Sequence, residues 1–479
     1  MKNSILSSLF VLPAILLAQP AIDPLISANR DVYAPFGVQP SHAMFHPVFF
    51  EKGSDISEEQ KQEVIERIAA NRKKILAKNP GAFTSKDNSP PLFIKPVRAK
   101  EGFDDYGFYT INFLVDHDLA TGNNLLDYYC DARTYDWSTG NHQGTDYILW
   151  PYPWKRMEQE IMEIVAAAPG VIVDKRDGHF DLRCSIDGNP NWNGIALEHA
   201  DGSQSWYWHF KDGAITEKEI GETVEAGEYL GAAGSSGASN WPHLHFEVRD
   251  PDNNVIDPFA GPCNEMNTES WWVEQHEYFV PMINRLSTHN TTQFDQNCPE
   301  IENTYETTWF NTGDNLILRL FYRDIERDAR TTVVIRDPGN NTFVSWNWDQ
   351  SWGLDYATAY AHWELDVTAA WPQGWYTVLV TFGENTYETT FAVGVPTGVS
   401  ENQMPVTEVF PTRVDNRLTV RSRNIIDRIS IYDISGRMVE QHHPSTEESI
   451  LDLELYRSGM YFLKVNSGSQ ETHHKIIKN

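Results

Sequence analysis

Residues 240–248, "NWPHLHFEV", place two histidines two positions apart in an otherwise apolar run. In a β-strand, side chains at positions i and i+2 leave the same face of the sheet. His243, His245 and Glu247 would therefore share one face, and the apolar residues between them would enter a core. Paired imidazoles on a strand are consistent with a metal site, a proton-transfer site or a solvated polar face. Other segments of the chain must distinguish these three interpretations.

The length and charge of the chain limit its class. With 479 residues, the chain is too long for one core, and about three domains are expected. The formal net charge of -29 argues against a nucleic-acid partner, which requires a basic surface. It also argues against binding to an anionic membrane surface. The sequence leaves the oligomeric state open.

The N-terminus is typical of an export signal. Lys2 precedes an apolar run over residues 5–17, which Pro13 interrupts, and Ala18 offers a small residue for cleavage. Residues 1–18 are therefore predicted to be a signal peptide rather than a spanning helix. Because no other apolar run has spanning length, we expect a secreted or cell-surface protein without a transmembrane segment.

Four cysteines are present, and they are Cys130, Cys184, Cys263 and Cys298. An even number of cysteines in an exported protein favours disulfide bonds, and four cysteines allow 3 pairings. We expect Cys130–Cys184 and Cys263–Cys298, because each bond then closes within one predicted domain. No C-x-x-C motif occurs, so a cysteine zinc site is not expected.

Short β-type runs separated by Gly, Asp and Asn turns predict a mainly β, multidomain protein with a helical N-terminal region. One helix is expected before residue 83, with Ser57 as its N-cap and acidic residues in its first turn. The predicted domains are a pro-region with this helix (19–90), an antiparallel β domain (91–262), a tryptophan-rich β-sandwich (263–395), a linker (396–404) and a small Ig-like β module (405–479). The tryptophans of the sandwich are expected to fill its core rather than to stack on sugars.

Partners for the paired histidines lie in two other segments of the same β domain. "NHQGTDYILWP" (141–151) contributes His142 and Asp146, and "SWYWHFKDG" (205–213) contributes His209. A catalytic zinc site takes three ligands of His and carboxylate type and keeps a position open for water. The H-E-x-x-H helix and the G-x-S-x-G elbow are both absent from the chain, which argues against two other hydrolase classes.

These motifs resemble the M23 (lysostaphin/LytM-type) zinc metallopeptidases. The resemblance rests on H-x-x-x-D, on the aromatic-x-H strand and on "GETVEAGEYLGAAGSSGASNWPHLHFEV". It implies an antiparallel β catalytic domain in which His142, Asp146 and His245 bind Zn²⁺. It also implies that His209 and His243 form the catalytic pair.

Two further points bear on this site. The segment of residues 147–165 is longer than its counterpart in many M23 relatives. We expect this insertion to border the substrate groove. No glutamate stands in an H-E motif to act as the base, so a histidine must accept the proton of the attacking water. His243 is placed for this role by its position two residues before His245.

Residues 405–479 resemble the C-terminal sorting domain of Bacteroidetes type IX secretion. The resemblance rests on "IYDISGRMV", "SGMYFLKV" and the basic end "HHKIIKN". The usual opening Pro-Asn-Pro is replaced by "FPTRV" (410–414), so the start of the domain departs from the pattern. The resemblance implies the type IX secretion machinery as a partner.

The two resemblances together imply a secreted zinc metalloendopeptidase. Its expected substrates are peptide bonds in peptidoglycan stems or cross-bridges. Two alternatives stay open at this point. One is a peptidase of extracellular proteins, and the other is a non-catalytic surface binding protein with a degenerate peptidase domain.

Overall fold

The structure is a computed structural model, and it describes residues 41–48, 57–83, 89–120, 124–394, 407–410, 413–414, 416–433, 437–467 and 470–478. The predicted signal peptide (1–18) and linker (396–404) lie outside the described residues. The predicted mainly β, multidomain fold is confirmed.

The N-terminal region contributes one strand and one helix, β1 (Ser41–Pro47) and α1 (Glu58–Lys78). Helix α1 begins where predicted, because the Ser57 side chain accepts a hydrogen bond from the Gln60 backbone while the Gln60 side chain accepts one from the Ser57 backbone. This reciprocal pair is a capping box, which satisfies two backbone donors at the helix start. The apolar side of α1, including Val64 and Ile68, packs on the central domain.

The central domain follows α1. Its elements are β2 (Val97–Ala99), β3 (Tyr109–Phe113), β4 (Asp136–Trp137), β5 (Gly140–Asn141), β6 (Thr145–Leu149), α2 (Pro153–Glu158), β7 (Met162–Val165), β8 (Gly170–Arg176), β9 (Gly194–Glu198), β10 (Gln204–Trp208), β11 (Phe210–Ile215), β12 (Thr223–Val224), β13 (Tyr229–Ala233), β14 (His243–Arg249) and β15 (Val255–Ile256).

Two antiparallel sheets form the central domain. The larger sheet has the order β12-β8-β9-β10-β14-β6-β3, with β15 paired to β14, and the smaller has the order β11-β13-β7-β2. The alternation expected for β14 is present, because Leu244, Phe246 and Val248 are at most 1% exposed and enter the core between the sheets. The histidines of β14 therefore lie on the opposite face, as the period of two requires.

The β-sandwich comprises β16 (Met282–His289), β17 (Trp309–Phe310), β18 (Asn315–Ile325), β19 (Arg330–Arg336), β20 (Thr342–Asp349), β21 (Tyr356–Asp366), β22 (Gly374–Phe382) and β23 (Asn385–Val393). Its two sheets have the orders β1-β21-β18-β16 and β17-β23-β22-β19-β20. Strand β1 thus joins the sandwich at its edge, although it precedes the central domain in the chain.

Most tryptophans of the sandwich fill its core, as expected. Trp346, Trp348 and Trp371 are buried within one hydrophobic cluster. Trp375 differs, because it is 50% exposed and lies beside the half-exposed Trp309, with 5.1 Å between the ring centroids.

The sandwich is joined to the central domain through buried polar contacts. The Trp150 indole donates to the Tyr322 carbonyl oxygen at 3.0 Å. The Asn284 amide donates to the carbonyl oxygens of Trp150 and Tyr109 at 3.0 and 2.9 Å. Because these groups are buried, their hydrogen bonds fix the two domains against each other.

The expected disulfide pairing is wrong. The bonds are Cys130–Cys263 and Cys184–Cys298. The prediction assumed closure between cysteines near in sequence, but an antiparallel sheet brings distant loops together. The turn at Cys130 lies against the segment before Cys263, where the Cys263 backbone donates to the Tyr128 carbonyl oxygen and Tyr128 stacks on Phe259.

The C-terminal module comprises β24 (Thr407–Phe410), β25 (Arg413–Val414), β26 (Arg417–Asp433), β27 (Met438–His442), β28 (Thr446–Asp452), β29 (Gly459–Ser467) and β30 (Gln470–Lys478). They form one sheet of order β24-β26-β29-β30-β25, with β27 and β28 also paired to β26. Within the part of the chain that the structure describes, no helix has the length and apolar character needed to cross a membrane.

Candidate metal centre

Three of the predicted site residues converge beside strands β14 and β6 of the larger sheet. His245 on β14 stands opposite Asp146 on β6 in the strand register, and His142 lies just after β5. The His245 Nδ1 atom is 3.0 Å from Asp146 Oδ1, and His142 Nε2 is 3.3 Å from Asp146 Oδ2. One ligand atom from each residue lies within 4.8 Å of the others, so this cluster could hold a metal ion.

His142 has a fixed orientation. Its Nδ1 atom is 2.7 Å from the Leu114 carbonyl oxygen. A carbonyl oxygen can only accept, so Nδ1 carries the proton and donates. The Nε2 atom is then left with its lone pair facing the cluster, and the Tyr135 ring stacks on the imidazole at 4.5 Å.

His245 presents its other nitrogen to the cluster. Its Nε2 atom donates to the Glu247 carboxylate at 3.4 Å, so Nδ1 faces His142 and Asp146. The Glu247 Oε1 atom in turn accepts from Arg249 Nε at 2.6 Å, and Arg249 also donates to the Gln143 side chain. A carboxylate that holds the outer nitrogen of a ligating histidine fixes the ring and raises its basicity.

The backbone between two of these residues has no room for a side chain. A Cβ atom on Gly144 would lie 2.6 Å from the His245 ring. A glycine between His142 and Asp146 is therefore a steric requirement of the cluster.

The charge of Asp146 suits a cation. Burial by itself would raise the pKa of the Asp146 carboxyl, but the facing imidazoles of His142 and His243 hold that pKa well below its usual range. The site therefore offers one carboxylate and two imidazole nitrogens. This donor set matches catalytic metal sites that bind a transition metal such as zinc.

His209 and His243 lie beside the cluster as a pair. Their ring centroids are 4.5 Å apart. The Nδ1 atoms donate to the carbonyl oxygens of Ser236 and Trp241 at 2.6 and 2.7 Å, which leaves both Nε2 atoms as acceptors. The His243 Nε2 atom is 3.9 Å from Asp146 Oδ1.

His209 also has an unusual backbone. It follows β10 with a φ of 69°, which is uncommon for a residue that is not glycine. Such conformations persist where the surroundings fix them, and they cluster at functional sites.

The five residues enclose very little space. None is more than 8% exposed, and the cavity of about 20 Å³ that Asp146, His209, His243 and His245 line does not reach His142. That volume holds about one water molecule. Among the residues that complete its lining are Ile186, Trp241 and Tyr135. A peptide would reach the site only if some of these covering residues moved.

The strand pattern predicts the face on which Glu247 lies but not its role, and the role of Arg249 is not predicted at all. The signal was present in the continued period of two, since His243, His245, Glu247 and Arg249 are alternate residues of β14. The pairing of Glu247 with Arg249 becomes visible only when the side chains are placed.

Comparison with known proteins identifies a peptidase domain within the central domain. The matching family is described as "Peptidase family M23", and the match covers residues 151–258. The chain thus contains an M23 peptidase domain. The match includes His209, His243 and His245 and begins after His142 and Asp146.

The C-terminal module matches a "Secretion system C-terminal sorting domain" over residues 408–479. The resemblance to a type IX sorting domain is therefore confirmed, and it indicates export to the cell surface or beyond.

One curated relative is the DD-carboxypeptidase/endopeptidase Mpg of Neisseria meningitidis serogroup B, which is 35% identical over 85 residues. That match spans 18% of this chain and 16% of the relative. Among solved structures, the catalytic domain of lysostaphin from Staphylococcus simulans is 25% identical, with coverage of 25% of this chain and 78% of that chain and a TM-score of 0.18. The catalytic domain of the prophage-encoded M23 protein EnpA from Enterococcus faecalis is 23% identical, with coverage of 35% and 93% and a TM-score of 0.20.

Proposed function

We propose that this chain is a secreted zinc metalloendopeptidase that hydrolyses peptide bonds in peptidoglycan stems or cross-bridges. The observation that carries the proposal is the convergence of His142, Asp146 and His245 beside a second histidine pair. A degenerate domain kept only for binding would not need all five residues in one buried cluster.

The proposed metal ligands are His142 Nε2, His245 Nδ1 and one oxygen of Asp146. Two neutral imidazoles and one carboxylate would leave a divalent ion with a net charge of about +1 and an open position. Zinc bound there would polarise the scissile carbonyl and lower the pKa of water toward ~7.

His243 is the proposed general base. Its Nδ1–H is held by the Trp241 carbonyl oxygen, so Nε2 is free to accept the proton of the attacking water and later to return it to the leaving amine. His209, whose Nδ1–H is held in the same way by Ser236, would accept a hydrogen bond from the attacking water through Nε2 and so orient it. Glu247 cannot take the base role, because its carboxylate is bound between His245 and Arg249.

Access to this site requires movement. Ile186 and Trp241 line a cavity that holds about one water molecule, and an extended peptide needs far more room. We infer that the segments carrying these two residues shift when the substrate binds, as covering loops do in many enzymes.

The substrate class is supported by the family and by one relative. The Neisseria relative is a DD-carboxypeptidase/endopeptidase, and the sorting domain would deliver this chain to places where cell walls are reachable. Extracellular proteins are the competing substrate.

The decisive experiment joins metal analysis to a choice of substrates. The purified chain is expected to contain about one zinc and to release soluble fragments from purified sacculi faster than from casein. A His245→Ala variant is the matched control, and it should lose both zinc and activity. If casein is hydrolysed while the sacculi stay intact, extracellular proteins are the substrate class. A folded, zinc-free and inactive wild type would support the binding protein instead.

Export can be tested separately. Deletion of residues 405–479 is expected to keep the protein inside the producing cell, because this module carries the sorting signal and no proposed site residue. The purified truncated enzyme should keep its specific activity, and a marked loss would show that the module serves catalysis.

A further inference from the structure

The second sheet of the β-sandwich, β17-β23-β22-β19-β20, has an outer face that is open to solvent. Its inner face packs on the other sheet of the sandwich, with Tyr376 and Phe391 buried in the shared core. Because side chains alternate along a strand, the residues between these core positions point outward. Along β22 and β23 the outward residues are half-buried or exposed, and Ala392 is the exception.

Two tryptophans lie at one end of this outer face and form a tryptophan pair. Trp309 on β17 and Trp375 on β22 stand on either side of Ala392 on β23, since both are its register partners. Ala392 has no exposed surface, because the two indoles cover it. Their rings meet edge to face, with centroids 5.1 Å apart and planes inclined by 65°. This contact leaves 42% of Trp309 and 50% of Trp375 accessible, so a ligand can reach both rings.

Polar groups that are free to bind a ligand lie beside the tryptophan pair. The next row of the sheet pairs Thr377 with Thr390, and both side chains point outward. The two threonine hydroxyls and the two indole N–H groups have no hydrogen-bond partner among the described residues. The surface therefore offers two N–H donors and two hydroxyls that can donate or accept, next to two accessible aromatic rings.

The charges of the outward side chains cancel across the strands. Arg330 is paired with Asp349 at 2.6 Å, and Arg336 on β19 is balanced by Glu388 on β23. The whole chain carries a net charge of -29. An anionic ligand would be repelled by the chain, and a basic partner would be drawn to its acidic surfaces rather than to this neutral one. Charge complementarity therefore favours an uncharged ligand that is rich in hydroxyl groups.

We propose that the tryptophan pair and the adjacent threonine row bind the glycan strand of peptidoglycan. A pyranose ring has an apolar C–H face that packs on an indole, and its hydroxyls both donate and accept hydrogen bonds. A backbone of β-linked, N-acetylated sugars is uncharged, as this surface requires. The sandwich would hold the glycan strand while the metal centre acts on the attached peptides. The choice of this glycan rests on the proposed function, whereas the binding itself does not depend on the metal centre.

The test is cosedimentation of the full chain with chitin, an insoluble polymer of β-linked N-acetylglucosamine that contains no peptide. The wild type should be captured with or without a chelator, because the metal centre finds no substrate in chitin. Trp375→Ala and Trp309→Ala should each weaken binding about 10-fold or more, as truncation of a central aromatic contact does. Trp375→Phe keeps a ring and should bind more tightly than Trp375→Ala. Because these positions are exposed, the thermal midpoints should stay close to that of the wild type.

Leu354→Ala is the matched control, because Leu354 is another apolar residue of the sandwich that is 58% exposed. This variant should bind chitin as the wild type does. Three results would overturn the proposal: no capture of the wild type, equal capture of the wild type and Trp375→Ala, or equal losses in Leu354→Ala and Trp375→Ala. A dimer that Trp375→Ala abolishes, in a chain that chitin does not capture, would identify a second copy of the chain as the occupant.

The two proposals fail in different ways. Capture by chitin of a chain that leaves sacculi intact would uphold glycan binding and contradict the peptidase. Hydrolysis of sacculi by a chain that chitin does not capture would uphold the peptidase and overturn glycan binding.

Discussion

Replacement of His243 or His245 by alanine should produce opposite metal contents, although the two residues stand on the same face of one strand. His245→Ala removes a nitrogen that lies 3.0 Å from Asp146 Oδ1 and is one of only three proposed ligands. Both zinc and turnover should therefore be lost. His243→Ala leaves all three ligands in place, so zinc content should stay near one per chain.

The loss in His243→Ala can be given a magnitude. Loss of a general base typically costs ~100- to 10,000-fold in rate, which equals roughly 3–5 kcal/mol of barrier at 1.36 kcal/mol per decade. His209 cannot fully replace it, because its ring occupies a different position, with its centroid 4.5 Å from that of His243. His209→Ala should behave like His243→Ala, with metal kept and rate lost.

The assay is zinc per chain measured beside the hydrolysis rate for the three variants. His199→Ala is the matched control, since His199 is a buried histidine of the same sheet that bonds Pro169 and Ser205 outside the cluster. When folded, this control should keep both zinc and turnover. A zinc-free His243→Ala together with a zinc-loaded His245→Ala would reverse the assignment. Full activity in all three variants would show that this is not a metallopeptidase site.

Three other changes have defined outcomes. Glu247→Gln should weaken zinc binding by about 10- to 100-fold, because His245 loses its carboxylate partner, and competition with a chelator measures this; an unchanged affinity would refute the positioning role. The predicted pro-region is expected to restrain the enzyme, because α1 packs on Trp208, which stacks on His245 from the site face of the sheet. A chain that begins near Phe93 should therefore hydrolyse its substrate faster than one that begins at Gln19. Equal rates would refute this restraint. Burial and the nearby Arg319 lower the pKa of His362 to about 3. The unfolded chain therefore binds a proton between pH 6.5 and 3 that the folded chain does not, and stability should fall as pH falls through this window, by at most about 1.4 kcal/mol per pH unit. In His362→Leu, the denaturation midpoint should depend less on pH across that range. An unchanged dependence on pH would contradict the assignment to His362.

Local pattern was sufficient where the structure depends on neighbouring residues. The alternation around His245 predicted which side chains of β14 enter the core, and Ser57 as an N-cap residue predicted the start of α1. All five predicted site residues lie together, because each came from a segment with its own recognisable motif. Their roles stay predictions until the variants above are made.

Contacts between distant residues were beyond such patterns. The disulfide pairing failed because sheet topology, rather than closeness in the chain, brings Cys130 to Cys263. The pairing of β1 with β21 in the sandwich depends on a return of the chain across the central domain. The near closure of the site depends on residues such as Ile186, whose loop position has no signature in sequence.

The two disulfide bonds interleave along the chain, since Cys184 lies between Cys130 and Cys263, and Cys298 lies beyond them. One backbone cut anywhere in residues 185–262 therefore produces two pieces that are still joined by both bonds. A cut in a loop of this range that precedes β14 would separate Asp146 from His245 in sequence while both stay on the same covalent molecule. In surroundings rich in other proteases, a nicked enzyme would keep its mass and its cluster, and only reduction would release the fragments.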